Sequence, residues 1–572
     1  MDKHTVGAIL TEIAELLQIK GDNPFKVRAY YNAARAIENL TEDLYLVVSA
    51  GRLDEIPGIG KALSEKIAYL VLNGSLPYYE ELKESLPEGL PGLLKVPTLG
   101  PKKIRVLYEK IGITTLGELE YACHGNRLLA LDGFGAKTQQ NILNGIQYLR
   151  RYQDQHLFSV AFEEAEKILE GLGRNRRITT ISLAGSIRRR KEIIRDIDIV
   201  AASAERDAAK VMEYFAAGSW VGEVVTHGTT KSSVTLLSGI NCDLRVVTTQ
   251  QFPYALHHFT GSKEHNTAMR GMAKKNDMKM NEYGLFKKGR PVLCKSEEDI
   301  FRRMGLVYIP PELRENDGEI EAAASGEIPA LITEKDIAGI LHVHSNYSDG
   351  TAGIEELARR AGEMGYAYLG ICDHSQSARY AQGLTPERVE EQHREIDRIN
   401  KKNRYPYILK GTEVDILPDG RLDYPKEVLR TFDFVIGAIH TRFGMKESEM
   451  TERIMKALRN PSLHILAHPT GRLLLSREPY AVDMHRVIET AAEYGKSIEL
   501  NANPHRLDLD WRMCKHAREK GILLSINPDA HSVEGFRDMV YGVGIARKGW
   551  LEKRDVLNAR PLEEVMGFFR KK

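Results

Sequence analysis

From residue 340 onward the chain repeats one pattern about seven times: a short apolar run ending in histidine or a carboxylate, then an amphipathic stretch. Ile340-Leu-His-Val-His-Ser-Asn-Tyr-Ser-Asp-Gly350 opens the series. Gly370-Ile-Cys-Asp-His374, Leu409-Lys-Gly-Thr-Glu413, Val435-Ile-Gly-Ala-Ile-His440, Ile465-Leu-Ala-His468 and Ser525-Ile-Asn-Pro-Asp-Ala-His531 continue it, with helical periodicity at 354–364, 386–400, 448–459 and 483–494. Strand then helix, with polar residues at strand ends, predicts a β/α barrel whose site lies at the C-terminal mouth. Alternate side chains of a strand share a face, so His342 and His344 reach the same side. His393, His485 and His516 fall on expected helices and His464 precedes a strand, so none receives a role. Asn501 and Arg506 stand near the mouth, either as phosphate contacts or in a structural turn.

At 572 residues the chain exceeds one ordinary core, and other chemistry lies upstream. Asp196 and Asp198, in Arg195-Asp-Ile-Asp-Ile-Val200, project together from an expected strand while Ile197 and Ile199 suit a buried face. Asp243, in Asn241-Cys-Asp-Leu-Arg245, is a third carboxylate for a neighbouring strand. Three such groups make an oxygen-rich site for Mg²⁺, which retains water and bridges carboxylates to phosphates. Gly185-Ser186 forms a small-residue turn able to cradle a phosphate, and Arg189 is placed to clamp it. A polar strand beside an arginine-rich turn is the blander account; the combination points to nucleotidyl transfer.

The first 150 residues begin with two helical stretches, 5–19 and 24–40. They then repeat a glycine turn that opens a helix: Ile56-Pro-Gly-Ile-Gly-Lys61, Val96-Pro-Thr-Leu-Gly-Pro101 and Leu131-Asp-Gly-Phe-Gly-Ala136. Gly58, Gly60, Gly100, Gly133 and Gly135 let backbone N–H groups approach a phosphate at a helix N-terminus. Such contacts hold DNA without reading its sequence. Thr98 replaces the first glycine of the second copy, making it the weakest of the three.

Charge is segregated: residues 151–310 sum to +6, 311–340 to −6 and 341–572 to +2. A basic middle suits a polyanion. The acidic stretch from 310 to 329, broken by proline and glycine, reads as a tether between domains. Five scattered cysteines never form C-x-x-C, which argues against a cysteine zinc site and for a reducing, cytoplasmic setting. No apolar run spans a membrane, and the N-terminus has no secretory signal pattern.

Residues 1–315 resemble the family X DNA polymerases of the DNA polymerase beta type. The resemblance rests on Gly185-Ser186, the three aspartates, the stretch His258-Phe-Thr-Gly-Ser-Lys-Glu-His-Asn266 and Asn281-Glu-Tyr-Gly-Leu285. It implies a palm in which Asp196, Asp198 and Asp243 bind two Mg²⁺ or Mn²⁺ ions and catalyse transfer, with Asp243 helping to deprotonate the primer hydroxyl. Ser186 and Arg189 would hold the triphosphate, His258, Phe259 and Gly261 would lie against the sugar, and Asn266 and Arg270 would face the nascent base pair. His258 stands where vertebrate members have tyrosine, and Arg195 where they have glycine. The N-terminal part matches the family's lyase domain: Lys26 and Tyr30 fall on 5′-phosphate-binding positions and Lys66 on the Schiff-base position. Ala62 and Asn32 replace lysines often found there, so Lys66 is read either as nucleophile or as a phosphate ligand.

Residues after 340 resemble the PHP (polymerase and histidinol phosphatase) family at nine positions: His342, His344, Asp349, His374, Glu413, His440, His468, Asp529 and His531. The resemblance implies up to three Mn²⁺ or Zn²⁺ ions. His342, His344, Glu413 and Asp529 would form one group, and His440 and His468 would join Glu413 on a second. Asp349, His374 and His531 would hold a third. Ions of this kind activate water for attack on a phosphodiester.

The expected architecture is multidomain, α+β and α/β: a lyase-like helical domain (1–80), a fingers-like hairpin domain (81–150) and a nucleotidyltransferase palm (151–250). A thumb (251–315), an acidic linker (316–335) and a (β/α)7-type PHP barrel (336–572) complete it. The expected activity is gap-filling, template-dependent DNA polymerisation in base excision repair, with 3′-5′ exonuclease and abasic-site cleavage assigned to the barrel. The partners are gapped or nicked DNA with a 5′-phosphate and dNTPs, the chain acting as a monomer. The alternatives are a non-templating nucleotidyltransferase fused to a small-molecule phosphatase, and a DNA-binding scaffold with both sites silent.

Overall fold

Two units divide the chain, Met1–Gln153 and Asp154–Lys572. The computed structural model describes every residue except those at positions 2, 39, 41, 43, 88, 125–126, 152–153, 403, 405 and 571–572. The first unit is helical. Lys3–Lys20 and Pro24–Glu38, close to the expected helices, pack through Leu10, Ile13, Leu16 and Ile37, all fully buried. The same core takes in Ile67, Ile104, Leu107 and Ile142, so the stretches 1–80 and 81–150 share one continuous hydrophobic interior.

All three glycine turns fold alike. Gly58 and Gly133 have φ of 93° and 83°, and Thr98 holds 72° at the same position, so the substituted copy keeps the left-handed turn. Each closes with one backbone hydrogen bond, Ile59 to Ile56, Leu99 to Val96 and Phe134 to Leu131, and leads into a helix of 11 to 16 residues.

In the second unit, five strands form a sheet in the order Ile178–Leu183, Asp196–Ser203, Asn241–Val247, Lys231–Leu236, Val221–His227. One face buries Ile197, Ile199, Val234 and Leu244 under helices Phe158–Gly173 and Ala208–Ala216. The aspartates project from the other. Helices Phe252–Thr260 and Lys263–Lys275 lead into a three-stranded antiparallel sheet and the helix Glu297–Arg303, around a second core that includes Met269, Ile300 and Phe301.

The acidic stretch expected as a linker, 316–335, is packed instead. Helix Glu319–Ser325 buries Ile320 and Ala323 in that same core, and the Ile332 amide donates to Leu551 O in the barrel. Fully buried Glu319 accepts from the Asn316 and Asp317 amides and contacts His265 Nδ1 at 2.7 Å. Composition failed here because His265, which faces the Glu319 carboxylate, comes from the thumb, and composition does not show that the neighbouring Asn316 and Asp317 amides turn back onto it.

The strands after residue 338 are parallel and run Gly339–Val343, Tyr368–Ile371, Tyr407–Lys410 with Glu413–Asp415, Ile436–Ala438, Ile465–Leu466, Ser497–Asn501 and Leu524–Asn527. Tyr407–Lys410 and Glu413–Asp415 read as one interrupted strand, which makes seven. A bridge from Val343 to Ala530 closes the ring, and another from His374 to Glu413 spans the interruption. Helices Ile354–Glu363, Pro386–Lys402, Glu447–Leu458 and Met484–Glu493 lie where the periodicity places them. No described helix is long and apolar enough to cross a membrane.

Candidate active sites

Strands Asp196–Ser203 and Asn241–Val247 pair in parallel with Asp198 opposite Asp243 and Asp196 opposite Asn241. That register gathers the three carboxylates on one face. Burial, then repulsion from Asp196 and Asp243, pushes Asp198 up to about 7; burial and Asp243 also raise Asp196. A divalent cation removes both penalties, so the residues present fit such an ion. Gly185, at φ 58°, begins the short helix Gly185–Arg188, and a Cβ there would stand 2.1 Å from Asp198 Oδ2. Only glycine admits so close an approach. Lys231, which the sequence reading passed over, lies 2.7 Å from Asp243 Oδ2. Its position on the neighbouring strand, two residues from Ser233 opposite Asp243, emerges only from the pairing.

Ser186 follows Gly185 in that turn. Arg189 Nε donates to Glu315 at 3.1 Å and Nη1 donates to the Thr260 carbonyl, beside Gly261. The Arg245 guanidinium sits 4.1 Å from the Phe259 ring, and His258 packs edge-on against Phe259. Burial lowers the His258 pKa. Arg270 is exposed on its helix, as its expected role requires. Asn266 is less accessible: it is 8% exposed, and its amide donates to His258 O at 2.7 Å, bracing the turn.

The barrel brings all nine expected ligands to one mouth. Three groups place their ligand atoms within 4.8 Å of one another: His344, Asp349, His374 and His531; His342, His344 and Asp529; His374, Glu413 and His440. His468 Nε2 lies 2.9 Å from Glu413 Oε1, and His440 Nε2 3.2 Å from the same oxygen. His344 and His374 each stand between two groups. One nitrogen of His344 lies 3.2 Å from Asp529 and the other 3.6 Å from Asp349, while His374 faces Asp349 and Glu413. His342 Nε2, both nitrogens of His344 and Glu413 Oε2 are buried without a hydrogen bond. Orphaned donors and acceptors of this kind, converging from imidazole and carboxylate, fit divalent ions. His342, His468 and Asp529 have φ of 61°, 24° and 51°. Left-handed backbone at non-glycine residues is costly and concentrates at functional sites.

Electrostatics point the same way. Burial works against the Glu413 carboxylate, yet His440, His374 and His342 outweigh it and hold its pKa well below the ordinary value. Burial also opposes charge on His440, but Glu413 and Asp415 raise it to about 9. His344, driven down by burial and by His531 and His374, falls to about 3 and is neutral.

Three carboxylates orient this set and were not anticipated. Glu499 Oε1 accepts from His342 Nδ1 at 2.6 Å, and Oε2 accepts from the His468 amide at 2.9 Å. Asp415 lies 2.5 Å from His440 Nδ1. Asp373 takes the Ser345 amide and hydroxyl at 2.8 and 2.6 Å, fixing the loop between His344 and Asp349. Their signal is a carboxylate inside an otherwise apolar strand or at its end. Asn501 bonds Glu499 and Asp529 and is fully buried, while Arg506 Nε lies 3.5 Å from Asp529.

In the helical unit, Lys66 Nζ donates to Tyr30 Oη at 2.9 Å and lies 3.4 Å from the Tyr78 ring centre. Lys26 pairs with Asp22 and also approaches Tyr78. Burial and the Lys26 charge lower the Lys66 pKa, the direction an amine nucleophile needs. A Cβ at Gly60, Gly100, Gly133 or Gly135 would meet nothing within 4 Å, so these turns leave room for a close partner.

Known proteins resemble the chain along its length. The DNA polymerase beta thumb family matches residues 255–315 and the PHP domain family residues 341–503. A helix-hairpin-helix domain matches 1–76 and a SAM-like helix-hairpin-helix tandem 91–147. DNA polymerase/3′-5′ exonuclease PolX of Bacillus subtilis is 40% identical over 575 residues, covering all of both chains. A probable phosphatase of Caldanaerobacter subterraneus subsp. tengcongensis is 35% identical over 135 residues, 22% of this chain and 50% of its own length. Another, of Acetivibrio thermocellus, is 32% identical over 187 residues, 31% of this chain and 72% of its own.

Proposed function

The chain belongs to the family X DNA polymerases that carry a PHP domain, and we propose that the palm carboxylates add nucleotides while the barrel histidines remove them. It is a DNA polymerase with 3′-5′ exonuclease activity that uses divalent metal ions. Full-length similarity to a polymerase leaves the fusion of a non-templating transferase with a small-molecule phosphatase without support.

The single observation that carries the division is geometric. Asp198 and Asp243 lie in register beside the Gly185 turn, while the nine barrel ligands converge on one another around a different sheet. In the palm, Asp196, Asp198 and Asp243 hold two Mg²⁺ or Mn²⁺ ions, which neutralise phosphate charge when bound. Ser186 and Arg189 hold the triphosphate of the incoming dNTP, and Phe259 and Gly261 support its sugar. Asp243 accepts the proton of the primer 3′-hydroxyl. In the barrel, His342, His344, Asp349, His374, Glu413, His440, His468, Asp529 and His531 hold up to three Mn²⁺ or Zn²⁺ ions. Glu413, which faces His374, His440 and His468, would be shared between neighbouring ions, and the half-exposed Asp349 and His531 mark the side open to DNA. Three hairpin turns take backbone phosphates, and Lys26, Tyr30 and Lys66 take a 5′-phosphate. The DNA is therefore a short gap of the kind met in base excision repair.

Extension and 3′ degradation on a gapped, 5′-phosphorylated duplex with Mn²⁺ and dNTPs test this reading. Asp198→Asn is expected to slow extension more than about a hundredfold, about 3 kcal/mol of barrier, and to spare degradation. His344→Ala is expected to do the reverse. Degradation that survives His344→Ala, or extension that survives Asp198→Asn, overturns the assignment.

A further inference from the structure

Lys548 ends the last helix of the barrel ring, Met539–Lys548, and its side chain has no solvent exposure. Its ammonium is directed out of the barrel. Nζ donates to Glu315 Oε1 at 2.5 Å, to the Arg189 carbonyl at 3.1 Å and to the Glu312 carbonyl at 3.4 Å. A lysine has three N–H donors, and here all three go to the palm or to the strap between thumb and barrel.

Glu315 receives two further cations. Arg189 Nε lies 3.1 Å from Oε1, and Lys191 Nζ 3.4 Å from Oε2. Burial opposes its charge, but Lys548, Arg189 and Lys191 outweigh burial and hold the carboxylate ionised. The Arg189 guanidinium is thereby fixed on two sides, by Glu315 at Nε and by Thr260 O at Nη1. Its Nη2 has no protein hydrogen bond among the described residues. Gly261 is part of the same arrangement, because a Cβ there would stand 2.9 Å from Arg189 Nη1.

We propose that Lys548 is a positioning residue for the polymerase site: through Glu315 and the Arg189 carbonyl, the PHP domain sets the geometry with which Arg189 takes the triphosphate. The proposal rests on the reading of Arg189 as a triphosphate ligand. Closing the interface alone does not account for the contact. Arg547 with Glu312, at 2.7 Å, and Arg472 with Glu192, at 3.6 Å, already join barrel to strap and palm. A fully buried ammonium is a poor choice for adhesion, since its desolvation offsets most of the attraction. What it supplies is direction: it holds both the main chain of Arg189 and the carboxylate that orients the guanidinium. A phosphate clamp depends on such orientation, because a fork displaced slightly loses paired hydrogen bonds.

Single-nucleotide insertion on a gapped duplex, with dNTP concentration varied, tests the proposal in the full chain. Lys548→Met and Glu315→Gln are each expected to raise the KM for dNTP about five- to thirtyfold, the range of an ordinary coupling between sites. The kcat at saturating dNTP is expected to stay within about twofold, because the aspartates are untouched. Degradation of single-stranded DNA without dNTPs reports on the barrel and is expected to stay at the wild-type rate in both variants. The double variant is expected to be no worse than the worse single variant, since the two residues act as one unit. Arg189→Ala, measured alongside, separates the two readings. If it leaves KM unchanged, Arg189 does not hold the triphosphate and the reading beneath the proposal falls. If it raises KM while Lys548→Met and Glu315→Gln do not, that reading stands and the proposal is overturned. If Lys548→Met or Glu315→Gln lowers polymerisation and degradation in parallel, the contact is a structural clamp and the proposal is overturned as well.

Discussion

Glu499 lies in the strand Ser497–Asn501 with no solvent exposure, and both its oxygens orient other groups. Oε1 takes His342 Nδ1 and Asn527 Nδ2, at 2.6 and 3.0 Å, and Oε2 takes the His468 amide. Because the carboxylate accepts from His342 Nδ1–H, Nε2, which faces Glu413 and Asp529, is the nitrogen left to take an ion. A glutamine would present an N–H to one of these donors, and the imidazole would lose its fixed orientation. Glu499→Gln is therefore expected to weaken Mn²⁺ binding to the barrel about 10- to 100-fold, read by titration of the metal-free protein. Unchanged affinity would show that the carboxylate only fills space. Six of the nine expected ligands are histidines at strand ends, a rare and specific letter, and the resemblance to the PHP family added Asp349, Glu413 and Asp529. Glu499, Asp415 and Asp373 were not, because a glutamate or aspartate in a single sequence does not show whether it faces solvent or an imidazole.

Turns and strand registers differ in how much sequence reveals of them. The hairpins were legible from Gly58 and Gly133, since glycine marks the positions where φ turns positive, and from Gly60 and Gly135 at the start of the helix that follows each turn. Thr98 carries the same conformation without that mark, between the buried Val96 and Leu99. Asp196 and Asp198 were legible as a pair by strand alternation. The pairing of Asp198 with Asp243, and of Lys231 with Asp243, depends on a register between distant strands. Helix Glu297–Arg303 makes a testable case of such long-range dependence. Burial opposes the Glu297 charge, yet Arg314 and Arg188 lower its pKa to about 2. A carboxylate whose folded pKa lies below its unfolded value of 4.5 stabilises the fold above that pH and loses the contribution as pH falls toward 2. A lowering of that size corresponds to about 3 kcal/mol. Thermal unfolding of residues 154–572 is expected to weaken steeply between pH 4.5 and 2, and Glu297→Gln to flatten that dependence while lowering stability at pH 7. A Glu297→Gln profile parallel to wild type would assign the acid sensitivity elsewhere.

For the whole molecule, the acidic stretch after residue 310 is where composition and structure part furthest. Read alone, its charges, glycines and prolines describe a solvated tether. In the fold it is a strap with buried partners at both ends: Arg314 on Glu297, Glu319 on His265, Glu312 on Arg547 and Glu315 on Lys548. Arg314 reaches out of the strap to Glu297, while His265, Arg547 and Lys548 come from the thumb and the barrel, so no local window of sequence contains these partners. A strap held this way makes palm, thumb and barrel one cooperative body, and that has a kinetic signature. The amides of Ala322, Glu327, Ile332 and Ala338 all donate to backbone carbonyls, two of them to Leu551 and Asn558 in the last segment of the chain. Amides bonded across such a junction exchange only when it opens, whereas those of a solvated tether exchange within the shortest labelling time. Hydrogen exchange read by mass spectrometry on peptides spanning 318–338 is therefore expected to show protection close to that of the barrel strands. Removing the Arg547 guanidinium by Arg547→Ala is expected to accelerate exchange across the strap, because the Glu312 anchor and a hydrogen bond to Ile332 O are lost together. Complete exchange of 318–338 in the wild-type chain at the first time point would mean that the strap opens freely, and the barrel would then be held to the palm by direct contacts such as Arg472 with Glu192 and Lys548 with the Arg189 carbonyl rather than by the strap.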